Sequence, residues 1–369
     1  ALKNTNPWDY WYRDGSPKPG TETILASLQK ALEINPDHAG AHHYLIHAVE
    51  AFRPELGVDS ADALGSLMPG AGHLVHMPSH IYMRVGRYGD SFDANVLAVK
   101  ADEGYITQCR AQGIYPLGYY PHNIHFLAWS AMFQGRSVEA LKAAREVAVK
   151  IQPTPEQNLF GLYEAFASQP LYVMVRFGQW QQILQEKSPN ESSIFMNGIL
   201  HYARGLAFAH TDKLTDAADE LNRLSGIREE VQKDQKYQIG FSAAGTLLLI
   251  AEQVLRAELA AKQGDIAAGI AHAERAVRLE ETLLYNEPPD WYFPVRHILG
   301  ALLMDAGQAA EAEAVYWADL KKNPNNGFSL FGLKQALAAQ GKDDVAAEIN
   351  KRFERAWSQA DVRLTSSRF

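Results

Sequence analysis

The feature that most limits what this chain can fold into is its punctuation: apolar residues at helical spacing run up to a proline or glycine, stop, and begin again. Ile24, Leu25, Leu28, Ala31 and Leu32 follow helical spacing as far as Asn35-Pro36. A pattern through Ser60, Ala61, Ala63 and Leu64 ends at Met68-Pro69. Thirty-three residues separate Pro36 from Pro69, room for two helices and their turns. The 369 residues would allow two or three globular domains on length alone, but repeated helix pairs predict a single array over 1–369.

Glycine turns carry the pattern onward. Gly86-Arg87-Tyr88, Gly135-Arg136-Ser137-Val138-Glu139-Ala140 and Gly178-Gln179-Trp180 each precede a helical stretch, as do Gly264-Asp265-Ile266-Ala267-Ala268 and Gly307-Gln308-Ala309-Ala310-Glu311-Ala312. These turns resemble those between the paired helices of tetratricopeptide repeats, and the chain is similar to a divergent, bacterial-type member of that family. The steps are irregular: forty-nine residues from Gly86 to Gly135 and eighty-six from Gly178 to Gly264. The first gap contains a Tyr- and Gly-rich insert from Gly104 to Tyr120, the second a diverged repeat around His201 to Ala218. The resemblance implies an all-α, α/α superhelix (solenoid) whose groove is lined by the first helix of each pair. An aromatic segment over 1–20, containing Trp8, Tyr10, Trp11 and Tyr12, opens the array. His-rich repeats follow over 38–135, and further repeats with a polar capping helix from Asp343 to Trp357 fill 136–369.

Nine of the thirteen histidines lie between His38 and His125. His43 and His47 stand seven and eleven residues after Pro36, as His76 and His80 do after Pro69. His73 and His76 stand thirteen and ten residues before Gly86, as His122 and His125 do before Gly135. Spacings of three, four and seven share a helix face, so equivalent positions on neighbouring helices carry imidazole. The family resemblance implies that all three runs face one groove.

Aligned imidazoles are the ligand set of a transition metal, with copper or zinc favoured by the scarcity of carboxylates and iron less so. His43, His47, Glu50, His73, His76, His80, His122 and His125 are the candidate ligands, enough for one ion with spare histidines or for a pair. Pro78 should kink its helix between His76 and His80. His122 and His125 follow Pro121 near a helix start, where the dipole favours the neutral imidazole a metal needs. Residue 44 is tyrosine where the zinc-peptidase helix needs glutamate, so that motif is absent. The remaining histidines, His38, His42, His201, His210 and His272, are expected to be ordinary packed or solvated residues.

Tyr44, Tyr82 and Arg84 are the candidates to orient a substrate, and Tyr119, Tyr120, Trp129 and His297 to bind one. His297 stands ten residues before Gly307, the offset of His76 and His125 from their glycines. The net charge of -8, with no basic block, excludes a nucleic-acid surface as the main function. A lone cysteine, Cys109, excludes an internal disulfide and a Cys-rich metal site. Apolar runs such as Ala243 to Ala251 are far too short for a bilayer, which predicts a soluble chain, cytoplasmic or periplasmic. No Ser-His-Asp arrangement, phosphate loop or dinucleotide fingerprint is present. The leading expectation is a metal-dependent oxidoreductase acting on a small organic substrate in the groove. Two others compete: a non-catalytic scaffold for a peptide or partner protein, with self-association open, and a zinc hydrolase with Glu50 as base.

Overall fold

The computed structural model describes residues 9–109, 115–151, 161–188 and 190–369. Residues 1–8 of the aromatic segment and 110–114 of the Tyr- and Gly-rich insert lie outside the described residues. Helices make up nearly all the regular structure; the one strand pair among the described residues joins Gln238–Ile239 to Ser242–Ala243. The chain divides into two compact units, Ala1–Ser130 and Ala131–Phe369.

In the first unit, α1 (Thr21–Ile34) packs on α2 (Ala39–Val49), and α2 packs on α3 (Val58–Leu67). The next first-helix is broken in two, α4 (Gly72–His76) and α5 (Pro78–Val85), both lying against α6 (Tyr88–Cys109). The break falls at Met77, where Pro78 has no N–H to give, so the expected kink is present. The chain continues into α7 (Tyr120–Phe133), whose first turn holds His122. Leu45, Ile46, Val49, Leu64, Met77 and Ile81 form the core between α2, α3 and α5. Tyr10 and Trp11 close its start against Ile24, and the Trp11 indole donates to the Ala48 carbonyl at 2.8 Å.

The second unit runs α8 (Ser137–Lys150), α9 (Leu162–Ala167), α10 (Gln169–Arg176) and α11 (Trp180–Ile183), then four longer pairs. These are α12 (Ile194–Ala209) with α13 (Leu214–Val231), α14 (Ala244–Lys262) with α15 (Ile266–Glu280), α16 (Arg296–Asp305) with α17 (Ala309–Lys322), and α18 (Gly327–Ala339) with α19 (Asp343–Ala356). Each pair also packs on the next, and first helices meet first helices, α12 on α14 and α16 on α18. This is the tetratricopeptide-like solenoid of helix pairs: neither helix buries its apolar stripe alone, and stacking makes one continuous core. Among the described residues no helix is long and apolar enough to cross a membrane.

The glycines read from sequence as turns, Gly86, Gly135, Gly178, Gly264 and Gly307, all have positive φ. At Gly86, φ 78° ends α5, and the next N–H, of Arg87, reaches back to the Tyr82 carbonyl at 2.8 Å. Small residues let α16 and α18 approach α17 closely: a Cβ on Gly332 would lie 2.2 Å from the Tyr316 ring and one on Gly300 2.5 Å from it. We therefore expect Gly332→Ala to destabilise the chain by about 1–3 kcal/mol in urea unfolding. Gly226→Ala, whose Cβ meets nothing within 4 Å, should instead be neutral or stabilise by up to about 1 kcal/mol.

Candidate metal centre

The histidines of α2, α4, α5 and α7 come together as two trios. His43, His47 and His73 each bring a ring nitrogen within 4.8 Å of the others, and so do His76, His80 and His122. The trios adjoin: the His47 and His80 rings are 5.7 Å apart, those of His73 and His76 6.2 Å. His125 is buried one turn beyond His122 and belongs to neither trio.

Glu50, the C-cap of the first histidine helix, joins the trios from behind. It is fully buried; His47 Nδ1 donates to Oε1 at 3.1 Å, and His80 Nδ1 faces Oε2 at 3.1 Å. Burial pushes its carboxyl up, but His80 and His47 outweigh that and hold it at about 2, so it is ionised at neutral pH. A carboxylate behind an imidazole fixes the tautomer, leaving the opposite nitrogen, Nε2, as a lone pair for a metal. Glu50, expected as a direct ligand, has Oε1 on His47 Nδ1 and Oε2 facing His80 Nδ1, and it is also among the groups placed to hold an ion.

His76 is fixed in the same way by an amide. Its Nδ1 lies 2.8 Å from Asn95 Oδ1, while Asn95 Nδ2 donates to Ser79 Oγ at 2.8 Å and to the Ser91 carbonyl at 2.7 Å. With the amide so oriented, Nδ1 is the donor and Nε2 is bare. His76 Nε2 and His80 Nε2 stand 3.0 Å apart. Facing lone pairs repel unless a cation or a shared proton lies between them. A tetrahedral ion with bonds of about 2.0–2.1 Å sets its nitrogens about 3.3 Å apart, so the separation fits a shared ion. In the first trio His43 Nε2 and His73 Nδ1 are buried with no hydrogen-bond partner. Buried imidazole nitrogens are ordinarily paired, and these point to a ligand.

Burial, followed by the neighbouring imidazoles His47 and His80, pushes His43 down to about 4. Burial, with His43 next, pushes His73 down to about 3. Burial also drives His76 and His122 well below the ordinary range, with His80 the next cause for both. All four are neutral at physiological pH, the form in which an imidazole can take a metal without giving up a proton.

Residues that sequence reasoning missed hold the imidazoles in place. Asp102, fully buried on α6, accepts from the Tyr115 hydroxyl at 2.6 Å and from Asn123 at 2.7 Å. Tyr115 in turn accepts from the His73 backbone N–H at 3.2 Å, so one carboxylate steadies both the second and third runs. Gly72 makes room: a Cβ there would meet Asp102 Oδ1 at 1.9 Å. Phe126, fully buried one turn after His122, lies 4.6, 4.7 and 5.0 Å from the rings of His76, His80 and His122 and walls them from water. Polar residues at inward positions of α6 were the available signal; spacing alone did not assign their partners.

The other predicted residues divide. Tyr44 is exposed and stacks on His43 at 5.2 Å, and exposed Tyr119 meets His73 edge-on at 4.7 Å; these two touch the first trio. Tyr82 donates to Asp62 at 2.8 Å, with the Arg87 guanidinium 4.3 Å from its ring centre. Arg84 donates to the carbonyls of Glu50 and Ala51, both at 3.2 Å, supporting the backbone behind the trios. Tyr120 is buried with its hydroxyl on Glu103 at 3.1 Å, and Trp129 is buried 5.3 Å from Phe126. His297 belongs to the second unit, fully buried between Asp319 and Asn326. The histidines set aside have ordinary partners: His42 with Ser60 and the Pro36 carbonyl, His201 with Glu220, His272 with Gln253.

No family model matches this chain, and no curated protein does. Among solved structures 39 chains match. One is a structure of Naa15/Naa10 bound to HypK-THB, 12% identical over 92% of this chain, with a TM-score of 0.21. This chain spans 62% of that chain's length. A TM-score that low adds nothing to the helix pairing described above.

The depressed histidines make stability depend on pH. Between pH 6.5 and about 4 the unfolded chain binds the His43 proton and the folded one does not, so stability falls as pH falls through that window. In metal-free protein we expect a loss on the order of 2 kcal/mol from His43 alone. His43→Asn should flatten the pH profile of urea unfolding over that range; an unchanged slope would contradict the burial described.

Proposed function

We propose that the two trios hold a pair of transition-metal ions, copper before zinc, and that the protein is a metal-dependent oxidoreductase acting on a small organic substrate. The observation that supports this most is the 3.0 Å approach of His76 Nε2 and His80 Nε2, with Asn95 behind His76 and the Glu50 carboxylate facing His80. All six inner groups are imidazoles, a set that suits copper and zinc better than hard cations. A redox metal there supplies one-electron chemistry and activation of oxygen or substrate.

The chain's own residues supply the rest. Glu50 and Asn95 lock ring orientation, Phe126 excludes water on one side, and the buried setting strengthens electrostatics within the site. Tyr44 and Tyr119, exposed beside His43 and His73, offer aromatic surface to an approaching substrate. The hydrolytic alternative is less supported, because the base it requires, Glu50, is buried and directed at two imidazoles.

One observation favours a scaffold instead. A groove of about 360 Å³ in the second unit is lined by Arg228, Arg256, Arg275 and His272, with Glu252 on the same wall, a surface suited to an acidic peptide. That reading needs no metal at the histidines.

Elemental analysis of protein purified without chelator or affinity tag, before and after reconstitution with copper or zinc, separates the two. We expect about two ions per chain, falling to about one in His43→Ala and in His76→Ala. Glu50→Gln should keep the fold and weaken metal binding by about 10–100-fold. No stoichiometric metal even after reconstitution would leave the scaffold.

A further inference from the structure

The second unit contains a separate set of polar atoms that its own fold does not satisfy. Arg176 ends α10 and is only 1% exposed, yet among the described residues no carboxylate pairs with it and its Nη1 has no acceptor. Its guanidinium lies between two phenyl rings, 4.2 Å from the centre of Phe293 and 3.1 Å from that of Phe328. Arginine stays protonated in proteins, so this is a buried cation held between aromatic faces, with the Asp319 carboxylate acting on it through space and not in contact. Burial works strongly against that charge.

Other donors stand around the same rings. Tyr172, one turn earlier on the same face of α10, has a buried hydroxyl without a partner. Its ring stacks on Tyr292 at 4.3 Å and lies 6.0 Å from Trp291, whose buried indole N–H is also unpartnered. Tyr292 adjoins Phe293 at 4.7 Å, and Phe293 lies 5.6 Å from His297, whose Nδ1 is likewise unpartnered. Gln169 and Ser168, at the start of α10, add an unpartnered carbonyl oxygen and hydroxyl.

More than nine in ten buried polar groups in folded proteins are paired. Here a cation, a phenol and an indole N–H are gathered without an acceptor, inside aromatic walls. What they lack in common is an acceptor within hydrogen-bond reach, and the arginine fork matches a carboxylate in two-point contact. We propose that this part of the second unit binds a small aromatic carboxylate. The ligand's anion sits on Arg176, with Tyr172 and Trp291 as further donors and its ring against Tyr292 and Phe293. The site is independent of the histidine trios and of any metal they hold.

The test is calorimetric titration of the full chain with sodium benzoate, with neutral benzamide and with inorganic phosphate. We expect one saturable benzoate site with Kd at or below about 1 mM, and benzamide at least about tenfold weaker. Tyr172→Phe and Trp291→Phe should each weaken benzoate by about 3–30-fold. Arg176→Met should abolish binding while leaving the ligand-free chain at least as stable as the parent, because it removes an unpaired buried charge. No saturable benzoate binding, or an Arg176→Met chain that folds but is markedly less stable, would make Arg176 a structural cation and overturn the proposal. Tight phosphate binding without benzoate binding would overturn it in favour of an inorganic-anion site. Should Arg176→Met not fold, the Tyr172→Phe and Trp291→Phe variants still decide, since benzoate affinity unchanged in both would reject the site.

Discussion

The buried carboxylate of Glu50 is the interaction on which the histidine centre depends. An ionised group with no exposure is costly unless its oxygens are met, and here each oxygen faces an imidazole nitrogen from a different trio. That single group fixes two ring tautomers and ties α2 to α5. It also couples the trios electrostatically, since the charge that orients His47 is the one that orients His80. Arg84 holds the Glu50 carbonyl from the far side, so backbone and side chain are both constrained.

The repeat fold makes this arrangement available. First helices lie side by side, so equivalent positions on α2 and the broken α4–α5 helix come within ring contact. The break at Pro78 re-aims His80 relative to His76 and brings their Nε2 atoms to 3.0 Å. The long α6 backs the site with Asn95 and Asp102, two buried polar groups that a helix serving only as packing would not carry. The fold supplies position; the acceptors behind each ring supply the chemistry.

Much of this was legible before any coordinates. Proline and glycine fix where helices end through missing N–H groups and positive φ, which are local properties, so the helix pairs and the Gly86, Gly135 and Gly307 turns read directly. The common register of His43, His47, His73, His76, His80 and His122 also read directly, because it follows from helical period. Their division into two trios did not, since it depends on ring rotamers and on the Met77 break. The place of Glu50 behind His47 and His80 was hidden for the same reason: spacing puts a carboxylate on a face without saying which side of the imidazole it meets. Tyr82 and Arg84 lie near the centre in sequence, yet hydrogen bonds from distant residues claim them. Arg176 gave no signal at all, because its burial between phenyl rings, out of contact with any carboxylate among the described residues, is a property of tertiary packing.

The central claim is that one carboxylate links two adjacent metal sites. Electron paramagnetic resonance during titration with copper(II) tests it directly, whichever ion is native. Ions held in trios whose rings lie 5.7 Å apart across Glu50 must interact magnetically. The account predicts an isolated-copper spectrum that broadens or loses intensity per copper as the second equivalent binds, with the isolated spectrum restored in His76→Ala. Two additive, non-interacting copper signals, or no copper bound at the histidines, would contradict it.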